Sequence, residues 1–188
     1  MKTHKTAVVI IPPYEVWPAI QTIRKAQDRN YRRWMPHITL LYPFREYGTF
    51  SQVAATMREV CQSTHPFELR LATLKMFEHL GQNYTLWLNP EPRNVIGALQ
   101  EALWEVVPDC DDTRRHKGGF TPHLSVGQQH GEQQAKRLLT ELQQLWQPLI
   151  FQVATISLIW RNDPPDDVFR VGEELVLGAN GRDVATQT

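Results

Sequence analysis

The 188-residue sequence has little cysteine: Cys61 and Cys110 stand far apart, with no C-x-x-C pair and no Cys/His cluster at zinc-ligand spacing. A disulfide-stapled secreted scaffold and a zinc ribbon are thereby excluded, and two reduced thiols are expected. The sequence also lacks a charge bias, with 20 Lys and Arg against 20 Asp and Glu. Residence on long nucleic acid normally needs a basic surface, so that class is disfavoured. A pocket for a nucleotide or a short RNA needs only a few local charges and stays open. Long apolar runs are missing as well. The run from Ala7 to Ile11 is cut by Pro12 and Pro13, too short for a signal-peptide core or a membrane span. No export signal or membrane association is expected, and the default compartment is the cell interior, cytoplasmic or nuclear. No Gly/Ser-rich linker divides the chain, so residues 1–188 are read as a single domain, and as a monomer.

What the sequence does contain is a doubled motif. Trp34-Met35-Pro36-His37-Ile38-Thr39-Leu40 is answered by Phe120-Thr121-Pro122-His123-Leu124-Ser125-Val126. Both read aromatic, any residue, Pro, His, aliphatic, hydroxyl, aliphatic. In a strand, alternate side chains point to opposite faces. Each copy therefore offers an imidazole and a hydroxyl on one face and an apolar anchor on the other.

The rest of the chain arranges itself around these two stretches. Apolar β-branched residues predict a strand over Thr6–Ile11. A helix follows over Glu15–Arg29, with Pro18 tolerated in its first turn and Val16, Ala19, Ile20, Ile23 and Ala26 as its apolar stripe. The first His strand spans Ile38–Tyr42. A second helix runs from Phe50 to Cys61, with Ser51 as a cap. Phe67–Phe77 and Tyr84–Leu88 read as a hairpin through a Gly81 turn, ended by Pro90 and Pro92. Helices over Val95–Val107 and Glu132–Trp146 flank the second His strand. A strand over Ile150–Trp160 and a closing strand over Val168–Leu177 complete the fold, with Ala179–Thr188 as a frayed tail. Pro66 to Leu74 aligns with Pro148 to Ile156, and the strand ending Ile11-Pro12 resembles the one ending Asn89-Pro90. Each half thus runs strand, helix, His strand, helix, strand, an internal duplication. Two such copies packed about a pseudo-twofold axis would bring the His strands to one cleft.

Two histidines facing one groove suit acid–base chemistry. An imidazole titrates near pH 6.5, so one ring can take a proton from an attacking oxygen while the other gives one to the leaving oxygen. Thr39 and Ser125 add hydroxyl donors that could hold the oxygens of an anionic intermediate. Phosphodiester cleavage fits this set without a metal. A zinc centre would need a third ligand, and the free candidates His65 and His130 sit in no recognised pattern. Ser125 lacks the strained G-x-S-x-G elbow of a serine nucleophile. Trp34 and Phe120 read as core wedges, and His4, His65, His79, His116 and His130 as surface or loop residues. Arg29, Arg32 and Arg33 precede one motif, and Arg114, Arg115, His116 and Lys117 the other. These are either solvated loop charges or local charges of a pocket.

The paired His-x-[Thr/Ser] motifs, in Pro-His-Ile-Thr-Leu-Leu-Tyr-Pro-Phe and Phe-Thr-Pro-His-Leu-Ser-Val-Gly-Gln, resemble the two-histidine (2H) phosphoesterase superfamily. That superfamily includes the 2′-5′ RNA ligase-like proteins and cyclic phosphodiesterases, and the resemblance covers about residues 6 to 178. It implies a bilobed, pseudo-twofold α+β fold with two antiparallel β-sheets lining a central cleft and helices outside. It implies His37 and His123 as the acid–base pair and Thr39 and Ser125 as phosphate holders, with no metal or cofactor. The implied substrates are small nucleotides or short RNA ends with a 2′,3′-cyclic phosphate or a 2′-5′ linkage. The alternative is a module that binds a nucleotide or RNA end without turnover. Specificity is expected from the loops Asn30–Arg33, Phe77–Asn83, Asp111–Gly119 and Arg161–Asp167. There, Tyr31 and Phe77 could stack a base and Arg161 could meet a phosphate.

Overall fold

A computed structural model of the protein describes residues 1–115 and 118–178. The expected tail, and His116 and Lys117 of the second basic cluster, lie outside the described residues. The elements run β1 (Lys2–Thr3), β2 (Thr6–Ile10), α1 (Trp17–Gln27), β3 (Ile38–Leu41), β4 (Phe44–Arg45), α2 (Phe50–Ser63), β5 (Phe67–His79), β6 (Asn83–Glu91), α3 (Arg93–Glu105), β7 (Leu124–His130), α4 (Glu132–Leu145), β8 (Leu149–Val153), β9 (Thr155–Trp160) and β10 (Arg170–Val176). They form two four-stranded sheets, ordered β10-β9-β2-β3 and β7-β6-β5-β8, plus a short β1-β4 pair. Every pairing in the sheets is antiparallel. The fold is the α+β, two-sheet architecture expected.

The differences from the sequence reading have local causes. A short 3-10 turn at Tyr47–Thr49 leads into α2, so Thr49 holds the cap position and Ser51 lies inside the helix. β6 does not stop at Pro90 but runs through it to Glu91. Pro90 pairs with Leu71 beside a register shift between Leu71 and Thr73, and bulges are where a strand tolerates a residue without an N–H. The strand read over Ile150–Trp160 is two strands in different sheets. β8 pairs with β5, and β9 pairs with β2 and β10. At the crossing, the Ala154 carbonyl accepts a hydrogen bond from the Leu177 N–H at 2.8 Å.

The duplication governs the register as well as the element order. In the β5–β8 pair, Phe67 faces Val153, Leu69 faces Phe151 and Leu71 faces Leu149. Exchanging the two aligned repeats maps this ladder onto itself, which puts the pseudo-twofold axis at Leu69–Phe151. The same exchange carries Val9–Ser157 of β2–β9 onto Trp87–Lys75 of β6–β5. It carries Val9–Thr39 and Ile10–Ile38 onto Trp87–Ser125 and Leu88–Leu124. The irregularities repeat too. β3 slips between its partners Val8 and Val9, and β7 slips between Leu86 and Trp87.

The helices pack their apolar faces onto the sheets. Ile20 and Ile23 of α1, Ala54, Met57 and Cys61 of α2, and Ile96, Leu99 and Leu103 of α3 are buried with Leu40, Leu71, Leu86, Leu124 and Ile156 in one cluster that spans both sheets. Each fully buried Leu or Ile contributes roughly 1.5–3 kcal/mol of transfer free energy. Both cysteines are buried free thiols; burial pushes Cys61 up to about 11. A second, smaller cluster covers the other face of β2. There Ala7, Val9, Ile159 and Phe169 are buried, with Trp34, Met35 and Tyr42 packed against them. Among the described residues, no helix is long and apolar enough to cross a membrane.

Candidate active site

β3 and β7 are edge strands of the two sheets, and they approach each other to within 8 Å between Cα atoms. Their side chains alternate as the motif requires. Pro36, Ile38 and Leu40 are buried while His37 and Thr39 are half-buried; Pro122, Leu124 and Val126 are buried while His123 and Ser125 are half-buried. The alternation ends in each strand at the same place, one residue past the hydroxyl. There the slip inserts Leu40 between Thr39 and Leu41, and Val126 between Ser125 and Gly127. An inserted residue of this kind bends a strand and re-aims its neighbours. Here it fixes the His-x-hydroxyl segment with a buried anchor on either side.

Each imidazole is oriented by its own loop. His37 Nδ1 lies 2.7 Å from the Met35 carbonyl oxygen, and His123 Nδ1 lies 2.8 Å from that of Thr121. A carbonyl can only accept, so Nδ1 carries the proton, and in the neutral ring the basic nitrogen is Nε2. Two residues upstream in both copies, a main-chain oxygen thus sets the tautomer.

The cleft opens as two chambers. The larger, about 630 Å³, is lined by His123, Thr39 and Ser125 together with Tyr42, Phe77, Phe120 and Thr121. The smaller, about 210 Å³, is lined by His37 and Ser125 with Asp28, Arg29, Asn30 and Gln128. Thr85 and Ser125 border both. The two histidines therefore stand in different chambers that meet at these two hydroxyls.

Their surroundings differ in chemistry. His37 stacks on Trp34 at 4.5 Å, and the other face of Trp34 stacks on Phe169 at 3.7 Å. Burial lowers the pKa of His37 to about 4; the Met35 hydrogen bond opposes this, and the charges of Arg24 and His123 add to it. His123 instead makes T-shaped contacts with Phe77 and Trp87, at ring-centroid distances of 5.0 Å and 5.9 Å. Beneath the small chamber lies a buried ion pair, Arg24 Nε to Asp28 Oδ2 at 2.9 Å. Arg24 Nη2 donates to the Trp34 carbonyl, and Asp28 Oδ1 accepts from Gln128 Nε2 on β7 at 3.1 Å. The end of α1 thus ties the two His strands together. Gly127 permits the approach, because a Cβ there would sit 2.6 Å from Gln27 Cβ.

Most of the basic clusters are engaged away from the cleft. Arg32 and Arg33 both pair with Asp167, which is 1% exposed. Arg32's hydrogen bond holds that carboxyl below the usual range. Arg114 pairs with Glu101 and lies over Trp104, and Arg115 pairs with Asp111. Among the described residues of these clusters, only Arg29 lines a chamber. Of the rim candidates, Phe77 lines the large chamber. Tyr31 and Arg161 line neither: Arg24 lies over the Tyr31 ring, and Arg161 donates to the His4 and Asn162 carbonyls. The loop 161–167 lines neither chamber; it supplies Asp167. Trp34 and Phe120 both pack on the apolar clusters, as expected, and each also lines a chamber, Trp34 the small one and Phe120 the large one. His4 and His79, read as plain surface residues, rim that chamber, and His79 Nε2 contacts Thr85 Oγ1 at 2.9 Å. Asn30 belongs to the loop Asn30–Arg33 expected to set specificity; Thr85, Asp28 and Gln128 were not singled out by the sequence. Thr85 alone carried a trace, as the hydroxyl between Tyr84 and Leu86 in an otherwise apolar strand. Among the described residues, no group of three His, Cys, Asp or Glu side chains is gathered for a metal ion.

Residues 12–165 match the sequence profile of the 2′-5′ RNA ligase superfamily. The chain belongs to this superfamily. This superfamily member is 25% identical over 175 residues to a protein of Oceanobacillus iheyensis provisionally named a phosphoesterase, covering 93% of this chain and 98% of that one. A similarly named protein of Bacillus pumilus is 28% identical over 139 residues, 73% of this chain and 78% of the relative. Among solved structures, a Thermus thermophilus protein superposes with a TM-score of 0.62 at 20% identity, over 94% of this chain and 99% of that one. Escherichia coli LigT complexed with 3′-AMP gives 0.61 at 16% identity, over 93% and 98%. At such identities these structures speak for the shared two-histidine phosphoesterase fold.

Proposed function

We propose that this superfamily member is a phosphoesterase that opens 2′,3′-cyclic phosphates, and cleaves 2′-5′ linkages, on nucleotides or short RNA ends by two-histidine acid–base catalysis. The observation that carries this reading is the pair of bulged His-x-hydroxyl strands facing one another from two sheets, with a histidine in each chamber. In-line displacement at phosphorus needs the entering and leaving oxygens on opposite sides. A phosphate held by Thr39 and Ser125 between the chambers has one apical direction in each. The complex of LigT with 3′-AMP and the phosphoesterase names of the bacterial relatives support the substrate class.

The unequal surroundings support a division of the roles that the symmetric sequence left open. His37, with its pKa lowered to about 4, is neutral near pH 7 and acts as the base toward water in the small polar chamber. His123 in the large chamber donates to the leaving ribose oxygen, while Thr39 and Ser125 hydroxyls bind the phosphoryl oxygens. The nucleoside fits the large chamber, where Phe77 and Phe120 offer ring faces or edges.

The test is hydrolysis of a 2′,3′-cyclic nucleotide with chelator present, followed by chromatography of the 2′- and 3′-phosphates. Turnover by wild type and its loss in His37→Ala are expected. Equal product from both would overturn the assignment. Calorimetric nucleotide binding without product from wild type would replace catalysis with simple recognition.

A further inference from the structure

The internal repeat relates the two sheets, yet one strand of the first sheet has no counterpart in the second. Thr73–Glu78 of β5 aligns with Thr155–Trp160 of β9. β9 is paired on both sides, by β2 and by β10. β5 is paired with β6 along this stretch, but on its other side β8 reaches only to Leu71. Among the described residues, no strand takes the place in the second sheet that β10 takes in the first. A side chain fills the first rung instead. In the first sheet, the Ala154 carbonyl accepts from the Leu177 N–H at the end of β10. In the second, the aligned Ala72 carbonyl accepts from Gln143 Nε2 at 3.3 Å, and the Leu74 N–H donates to Gln143 Oε1 at 2.7 Å. The carboxamide of Gln143, on α4, thus stands in for a peptide group. By the alternation of a strand, the Leu74 carbonyl and the main-chain groups of Met76 and Glu78 point out of the same edge. The helix above it is incompletely covered. α2, which packs on β10, buries Phe50, Ala54, Met57 and Cys61. α4, its counterpart, buries Ala135, while Leu138, Leu139 and Leu142 are half-buried and Leu145 is exposed.

We propose that a second copy of the chain fills this strand position, β5 against β5 and α4 against α4 about a twofold axis at Met76, in place of the monomer expected from the sequence. An unpaired strand edge is a template for another strand. Pairing β5 with itself closes the assembly at two copies, whereas pairing it with a different edge would build a ring or a filament. The register is self-complementary. Met76 exchanges main-chain hydrogen bonds with Met76 of the second copy. The Leu74 carbonyl accepts from the Glu78 N–H of the second copy, so Gln143 keeps both of its bonds. Lys75 falls opposite Phe77 of the second copy and Leu74 opposite Glu78, so no like charges meet. The hairpin tip brings exposed Leu80 to Ala72 of the second copy, close to its exposed Leu145. The two α4 helices close over the joined sheet and cover the half-buried leucines. The same register sets Lys75 of the second copy beside Phe77, which lines a large chamber with no Lys or Arg among its described lining residues.

The test is the mass of the full-length protein by size-exclusion chromatography with light scattering, across a dilution series. Wild type is expected at twice the monomer mass, falling to the monomer on dilution. Glu78→Pro removes the N–H that crosses to Leu74, at an exposed edge position where proline is tolerated. Leu145→Glu puts a charge on the exposed end of α4. Each variant is expected to raise the dimer dissociation constant by about tenfold, with far-ultraviolet circular dichroism unchanged. Met76→Cys is expected to form a disulfide-linked dimer under mild oxidant; the native Cys61 and Cys110 are buried. Wild type that stays monomeric at the highest concentration overturns the proposal. A monomer that also binds a peptide of the Arg170–Val176 sequence overturns it in favour of a foreign strand. A dimer that neither variant weakens and Met76→Cys does not cross-link forms through another surface, and overturns it as well.

Discussion

The two halves of the cleft share a motif, a bulge and a main-chain hydrogen bond to Nδ1, yet they are not equivalent. Behind His37 stand two stacked rings, Trp34 and Phe169, and a buried ion pair; His123 makes T-shaped contacts with Phe77 and Trp87. The position after the bulge is Leu41 in one copy and Gly127 in the other. With Leu41, the strand fills the core. With Gly127, it admits the end of α1 and the network of Asp28 and Gln128. Duplication supplies two copies of one motif, and unequal packing gives their imidazoles different surroundings.

The sharpest way to break this comparison is to remove each histidine. His37→Ala and His123→Ala should each lower kcat/KM on a cyclic nucleotide by about 10²–10⁴-fold, measured by product chromatography. If only one loss appears, the chambers do not share one phosphate. Next in size is the glycine contrast. Gly127→Ala drives a Cβ into Gln27 and should cost about 1–3 kcal/mol by urea denaturation, with activity falling further than stability alone explains. Leu41→Ala instead leaves a cavity, costing about 2–5 kcal/mol, and should spare the α1 contact.

The electrostatic contrast is finer. In the rate of cyclic-nucleotide hydrolysis, the acid limb should report His37 near pH 4 rather than 6.5. Trp34→Ala, which exposes the ring, should move that limb upward; an unmoved limb would mean that Trp34 is not what buries His37. The same shift bears on stability. Because the unfolded state takes up a proton near pH 6.5 and the folded state only near pH 4, the contribution is fully present above 6.5. It is lost as pH falls through that window, by up to a few kcal/mol. His37→Gln should flatten the fall in urea midpoint between pH 6.5 and 4. The smallest effects belong to the rim: Arg161→Ala and Tyr31→Phe, at residues that line neither chamber, should change kcat/KM by less than about twofold.

Much of this molecule was readable before any coordinates. The alternation in His37-Ile38-Thr39-Leu40 and its copy gave the strands and their buried faces, because a period of two is a local property. The aligned Pro66 and Pro148 stretches gave the pseudo-symmetry. The sheet crossing at Ala154 was invisible, since buried Phe151 and Val153 and exposed Gln152 and Ala154 keep the same alternation through it. The small chamber was invisible for a different reason. Its walls come from residues about a hundred positions apart, such as Asp28 and Gln128, and their meeting depends on the side-chain-free Gly127. No local pattern encodes such a contact. The arginine clusters were ambiguous for want of their partners: Asp167, in a distant loop, decides the fate of Arg32 and Arg33.

The β5–β8 ladder has a consequence for how such a protein can be assembled. β5 belongs to the first repeat, but its strand partners, β6 and β8, both come from the second. β9 belongs to the second repeat and closes the sheet of the first. The repeats are interlocked by exchanged strands, so neither has a complete sheet of its own. Cut at the exposed tip of the β5–β6 hairpin, where Leu80 is 96% exposed, the two fragments should each remain unfolded alone and regain near-ultraviolet circular dichroism when mixed. A half-length ancestor with this strand order would have met its own copy across the same Leu69–Phe151 axis, as a dimer, before one chain held both halves.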